Sequence, residues 1–233
     1  MSNFIIEDKD KVLIKYKGKG EKVVTIPNSV TTIGNWAFEN CRRLKNIVIP
    51  KSVTKIGDNA FLNCSSLTEI FIPKSVTKIG AWAFADCISL TEIEIPKSVK
   101  EIGESAFKNC SSLKNIKIPK SVTKIGDNAF YDCISLTEIE IPKSVTTIGI
   151  RAFKNCISLT EIEIPNSVTT IGENAFKDCF KLTAINIPDS VTTIGANVLA
   201  GCSNLKKVKA SGKLSDKVKD TLRKELGNKV TFN

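Results

Sequence analysis

The sequence predicts an α/β solenoid, with one coil of chain per repeat stacked into a single elongated body. Three periodicities predict it. Eight prolines, from Pro27 to Pro188, each lie 23 residues after the last. Eight cysteines, from Cys41 to Cys202, keep the same step, and so do eight glycines, from Gly34 to Gly195. Self-similarity at a fixed period of roughly 20–50 residues marks stacked repeat architectures rather than a chain with one closed core.

One unit, LTEIFIPKSVTKIGAWAFADCIS at residues 67–89, justifies each element in order. Numbering from its leucine, apolar residues fall at positions 1, 4 and 6. The alternation from 4 to 6 reads as a short strand. Proline at position 7 ends it, because it lacks the N–H that a ladder needs. Glycine at position 14 is expected to supply a turn with positive φ. Positions 15–20, such as DNAFLN at 58–63, read as a one- to two-turn helix. The acids that open it (Asp58, Glu104, Asp127 and Glu173) suit the positive end of a helix dipole. Positions 1, 4, 6, 10, 13, 17, 18 and 21 are small or apolar and should face inward. One unit cannot enclose them, so neighbouring coils must stack to bury them. Each large apolar side chain so buried contributes roughly 1.5–3 kcal/mol.

The spacing L-x-x-I-x-I-x-x-S-V resembles the core of the leucine-rich repeat, L-x-x-L-x-L-x-x-N-x-L. The fuller form I-P-x-S-V-T-x-I-G-x-x-A-F-x-x-C is similar to the BspA-like subclass with its 23-residue unit. The resemblance covers residues 21 to about 210. It implies a leucine-rich repeat arc with a parallel β-sheet on the concave side and short helices on the convex side. Serine (Ser29, Ser52, Ser75 and onward) stands where many leucine-rich repeats place asparagine. Its hydroxyl can still satisfy neighbouring backbone groups.

An open stack needs caps at its ends. Residues 1–22 form the expected N-terminal cap. Phe4 and Ile6, a turn near Asp8–Asp10, then Val12, Ile14 and Tyr16 read as a β-hairpin. The solenoid takes residues 23–210. Residues 211–233 form a C-terminal cap of helix plus strand. Ser215 is its N-cap and Gly227 its stop, and Val218, Leu222 and Leu226 recur every four residues. Val230 and Phe232 fall 22 residues after Val208 and Ala210, which predicts a last parallel rung.

The net charge of +10 is unevenly placed: residues 206–233 carry nine Lys or Arg against three acids, and the middle of the chain is nearly neutral. Nucleic-acid binders carry a basic stripe along the folded body, so nucleic acid is disfavoured as a partner, and the cap's basic residues are expected to face solvent. No apolar run reaches the roughly 20 residues that span a bilayer. The N-terminus lacks the form of a signal peptide, so the chain as it stands reads as cytoplasmic. The family resemblance instead suggests a cell-surface or secreted protein, should a leader have been removed.

The chain contains no histidine, which removes Ser-His-Asp and Cys-His pairs and most zinc sites. No cofactor or metal is expected. The cysteines form no C-x-x-C pair and should stack as a buried core ladder. Trp36, Trp82, Ile88, Ile134, Ile157 and Phe180 are expected on the lateral or convex side, either packed between coils or exposed as a strip for self-association.

Positions 3 and 5 share the outward face of each strand, and they are where the repeats differ. The tentative ligand-binding residues are Asn46, Val48, Glu69, Phe71, Glu92, Glu94, Lys117, Glu138, Glu140, Glu161 and Glu163. Lysines at position 8, from Lys51 to Lys143, run beside this acidic field. Charge compensation on a solvated sheet is one reading; the other is a recognition surface with Phe71 as apolar anchor. Glu138 and Glu140 resemble a glycosidase pair, but the pair recurs at Glu92/Glu94 and Glu161/Glu163 on an open face, without the asymmetric environment a general acid needs. The expected function is therefore a non-catalytic binding module for a protein or glycan. The resemblance implies adhesion or host interaction. A self-assembling scaffold, natural or engineered, is the alternative, and a carboxylate-based glycan enzyme the third reading.

Overall fold

A computed structural model of the chain describes residues 3–18 and 20–232, so the outer limits of the two caps, residues 1 and 233, lie outside it. The chain is a parallel β-solenoid. One row of strands occupies positions 3–5 of the repeat: Val23–Thr25, Asn46–Val48, Glu92–Glu94, Asn115–Lys117, Glu161–Glu163, Ala184–Ile187 and Lys207–Ala210. Each pairing in this row is parallel with a 23-residue offset, as in Asn115↔Glu92 and Glu161↔Ala184. A second row of two-residue strands, from Thr32–Ile33 to Thr193–Ile194, sits at positions 12–13. That second row was not expected from sequence.

Position 13 points inward and position 12 outward, so the coil buries Ile33, Ile56 and their equivalents against the same core as the first row. The core is continuous from Leu13 to Leu222. All eight inward positions are filled as the pattern requires, with Cys41, Ile118 and Ile194 only partly buried. At its centre the rings of Phe38, Phe61, Phe84, Phe107, Phe130, Phe153 and Phe176 stack with centroids 5.1–5.6 Å apart and nearly parallel planes.

The short convex helices are not formed, and the chain there runs as successive turns. Residues at positions 16 and 20 adopt positive φ, for example Asn128 at 53° and Asp132 at 60°. The N–H groups of positions 16, 18 and 20 then point along the stack and donate to the next coil, as in Asn128 to Ile150 O (2.8 Å), Phe130 to Ala152 O (2.8 Å) and Asp132 to Lys154 O (3.0 Å). A helix needs those same groups for its own turns, so the two arrangements exclude each other. Asn and Asp tolerate the left-handed region better than most residues. With no helix present, the acids of position 15 have another task. Asp58 accepts the N–H of Ala81 at 2.9 Å, and Asp127 that of Ile150 at 2.7 Å, each one coil onward.

The repeat glycines are also explained differently. Position 14 has no positive φ; among the described glycines only Gly201 and Gly227 do. Glycine is required there because the neighbouring coil's backbone is too close for a side chain. A Cβ on Gly126 would lie 2.8 Å from Glu104 N, Gly103 C and Ile102 O. The serines behave as expected: Ser52 Oγ donates to Val30 O at 2.7 Å and Ser75 Oγ to Val53 O at 2.6 Å, tying each coil to the one before.

Both caps form. Phe4–Glu7 and Val12–Tyr16 make an antiparallel hairpin, which joins the second row through Val12↔Thr32 and Leu13↔Ile33. Tyr16 stacks on Phe38 at 5.2 Å and so extends the aromatic column. At the other end the helix Asp216–Leu226 buries Val218 and Leu222, and Gly227 at φ 54° stops it. Ser215 occupies the N-cap position without a side-chain bond. Val230–Phe232 adds the last parallel rung, in register Val208↔Val230 and Ala210↔Phe232.

Candidate binding face

The strand alternation puts the side chains of positions 3 and 5 outside, while Ile47, Ile93 and Ile162 between them are buried. At the N-terminal end this exposes an apolar group unusual for a solvated sheet. Phe71 is 73% exposed, Val23 59% and Val48 53%. A groove of about 670 Å³ lies on the sheet here. Asn46, Val48, Glu69, Phe71, Glu92, Glu94 and Lys117 all line it. Glu138, Glu140, Glu161 and Glu163 are exposed on the same face but lie beyond it. Val23 and Asn115 also line the groove; both occupy position 3, and reading that row over its whole length would have included them.

The sheet under this face is discontinuous. Phe71 is held by a single bridge to Val48, and residues 138–140 pair with neither neighbour. Both loose rungs precede a coil carrying glutamate at an equivalent position: Glu69 precedes Glu92, and Glu138 and Glu140 precede Glu161 and Glu163. Like charges directly opposite each other weaken strand pairing.

Ion pairing does not neutralise the face. Among the described residues the ion pairs are Lys15–Glu39 at 3.9 Å and Arg223–Asp220 at 3.0 Å, both elsewhere. The glutamates of positions 3 and 5 and the lysines of position 8 therefore make no direct contacts of that kind.

The cysteines are free thiols. From Cys64 to Cys202 each Sγ donates to a phenylalanine carbonyl 26 residues earlier, as in Cys87 to Phe61 O at 3.3 Å. Burial pushes Cys87 up to about 12 and holds Cys110 and Cys156 well above the ordinary thiol range. Cys41, partly exposed at the start of the ladder, is held below that range by the Cys64 thiol and then by Lys15. No group of three or more Cys, Asp or Glu among the described residues is placed to hold a metal ion. Among the described residues no helix is long and apolar enough to cross a membrane.

The lateral apolar residues divide. Trp36, Ile88, Ile134 and Phe180 are exposed, whereas Trp82 and Ile157 are half-buried. Lys108 lies 4.8 Å from the Trp82 ring centroid, covering it.

The family described as BspA type Leucine rich repeat region (6 copies) matches residues 16–137 and 123–224. A leucine-rich repeat protein from T. pallidum has a similar crystal structure, with 28% identity and a TM-score of 0.67, over 98% of this chain and 94% of that one. A leucine-rich repeat protein from Eubacterium ventriosum shares 28% identity with a TM-score of 0.54, over 83% of this chain and 61% of that one. No curated protein matches in sequence.

Proposed function

The chain belongs to the BspA-type leucine-rich repeat family, and from that premise we propose that it is a non-catalytic binding module whose concave sheet recognises a protein or glycan. The observation that carries this reading is the group Val23, Val48 and Phe71, exposed at the rim of a groove and flanked by Glu69, Glu92, Glu94 and Lys117. A large aromatic side chain left in water on a rigid sheet, with charged groups around it, has the make-up of an interface anchor inside a polar rim. Glu92 and Glu94 serve as rim groups; the pair recurs, exposed, at Glu138/Glu140 and Glu161/Glu163 beyond the groove, a repetition that suits recognition and not acid–base chemistry.

Adhesion at a cell surface is the finer form of the same reading, and it rests on the family resemblance. A binding screen against matrix proteins and glycans tests the module. A double variant, Phe71→Ala with Glu94→Lys, should abolish any binding found. Unchanged affinity in that variant would remove the concave face from consideration.

Exposed Ile88, Ile134 and Phe180, which share position 22, favour a second reading as a self-associating scaffold. Light scattering decides it: a monomer at all concentrations tested excludes the scaffold.

A further inference from the structure

Near-neutrality in the middle of the chain conceals a separation of charge. The glutamates of positions 3 and 5 lie on the concave sheet. Lysine fills position 8 in five consecutive coils, from Lys51 to Lys143, at the corner just past each proline, and all five are exposed. Lys55, Lys78 and Lys124 stand at position 12 on the adjoining strands, with side chains outward because position 13 is buried. Lys100 adds a charge at position 11. Over these coils Glu101 is the one acid at positions 8, 11 and 12.

The arrangement works against the fold. Lys55 and Lys78 are direct partners in parallel strands, a like-charge pairing that weakens a sheet. None of these lysines makes an ion pair, side-chain hydrogen bond or ring contact among the described residues. Unpaired charges held in straight rows on a rigid scaffold create a strong local potential.

We propose that this lysine ridge is a docking surface for a linear sulfated polysaccharide. Five lysines over four coil steps span roughly 20 Å at the usual strand spacing, so a polymer laid along the ridge meets one ammonium after another. The ridge contains no arginine and no aromatic residue. Lysine supplies a compact point charge without the flat fork that stacks on bases or grips phosphate at two points. Single-stranded nucleic acids are held by aromatic platforms, and stable membrane anchoring takes an apolar face or lipid chain beside the charges. The exposed large apolar residues all lie at other positions of the repeat. The ridge is separate from the concave groove, so the proposal stands or falls independently of that site.

The test titrates the full chain with fluorescent dextran sulfate, and with unsulfated dextran as control. The triple variant Lys74→Glu, Lys97→Glu, Lys120→Glu should weaken dextran sulfate binding at least about tenfold, and added salt should weaken the unaltered chain in the same way. The same charge change on the C-terminal helix and its approach, Lys213→Glu, Lys217→Glu, Lys219→Glu, should alter affinity no more than about twofold. Glutamine in place of glutamate in the first triple gives a milder version, and thermal melting of each variant separates lost binding from lost fold. Equal losses in the two triples overturn the proposal, because net charge would then be the cause. Tighter binding of single-stranded DNA or of phosphatidylserine vesicles than of dextran sulfate also overturns it.

Discussion

The carboxylate of Glu225 accepts the backbone N–H of Leu199 at 2.5 Å, and that of Val198 at 3.1 Å. In an inner coil the equivalent N–H finds a carbonyl one coil on, as Phe176 does at Val198 O (2.9 Å). The last full coil has no such neighbour on that side. A side chain from the C-terminal helix takes the place of the missing carbonyl and ends the ladder.

Glu225→Ala should therefore cost roughly 1–3 kcal/mol, the usual penalty for stranding buried N–H groups, read from urea unfolding. Burial is the first cause raising the pKa of Glu225 above its ordinary value of 4.5. A raised native pKa means that the stabilising contribution is complete below the unfolded value and is lost as pH rises through the native one. The melting temperature should carry a falling component at pH values above 4.5. Glu225→Gln should remove that component, and an unchanged profile in this variant would contradict the assignment.

Gly126→Ala and Gly227→Ala should both destabilise the chain, for different reasons, although each adds one methyl group. The first drives a Cβ into three backbone atoms of the preceding coils, and overpacking against rigid backbone costs about 1–3 kcal/mol or more. The second meets nothing within 4 Å, and its cost comes from the backbone, at φ 54° and ψ −126°, a conformation that strains an L side chain by about 1–3 kcal/mol. A Gly126→Ala variant as stable in chemical denaturation as the unaltered chain would show that position 14 is not held by close approach.

In the aromatic column, Phe107→Ala should cost about 3–5 kcal/mol as a large-to-small core change. Phe107→Leu should cost much less, since Leu199 fills the same position in the final coil and is buried there. Calorimetric melting gives both values. A leucine variant as damaged as the alanine one would mean that ring stacking, rather than filled volume, sustains the column.

Glu138→Gln combined with Glu140→Gln should strengthen pairing of residues 138–140 with the following coil. Removing the repulsion toward Glu161 and Glu163 should add about 0.2–1 kcal/mol per pair and slow amide exchange across residues 138–140. Exchange as fast as in the unaltered chain would assign the gap to another cause.

Much of this architecture is legible in the sequence because one 23-residue pattern is written repeatedly. The inward positions, the proline stop, the serine ties and both caps follow from residue type and spacing. The convex helices do not, because D-N-A-F-L-N is a fair helical segment when read locally. The contrary signal is Asn or Asp at position 20 in seven coils and Asn at position 16 in four (Asn59, Asn128, Asn174 and Asn197), residues suited to left-handed backbone; Trp36, Trp82, Ser105 and Arg151 adopt the same conformation at position 16 without giving that signal. The glycines mislead for a similar reason: residue type shows that a side chain is excluded, but not whether φ or a neighbour excludes it. Two-residue strands at positions 12–13 are too short to alternate and exist only because coils stack. On the candidate face, the outward set including Phe71 is readable from the alternation of 4 and 6. The groove that gathers Val23 and Asn115 with Phe71 spans several coils, so it is read only across repeats and not from any single one.

Because nearly every backbone bond outside the turns joins a coil to the next, the chain has a mechanical grain. Pulled by its two ends, it would shed coils singly, each releasing 23 residues and roughly 80 Å of contour. The protein would pay out slack in equal lengths, and the surface displayed by the coils still stacked would keep its shape while the tether lengthened.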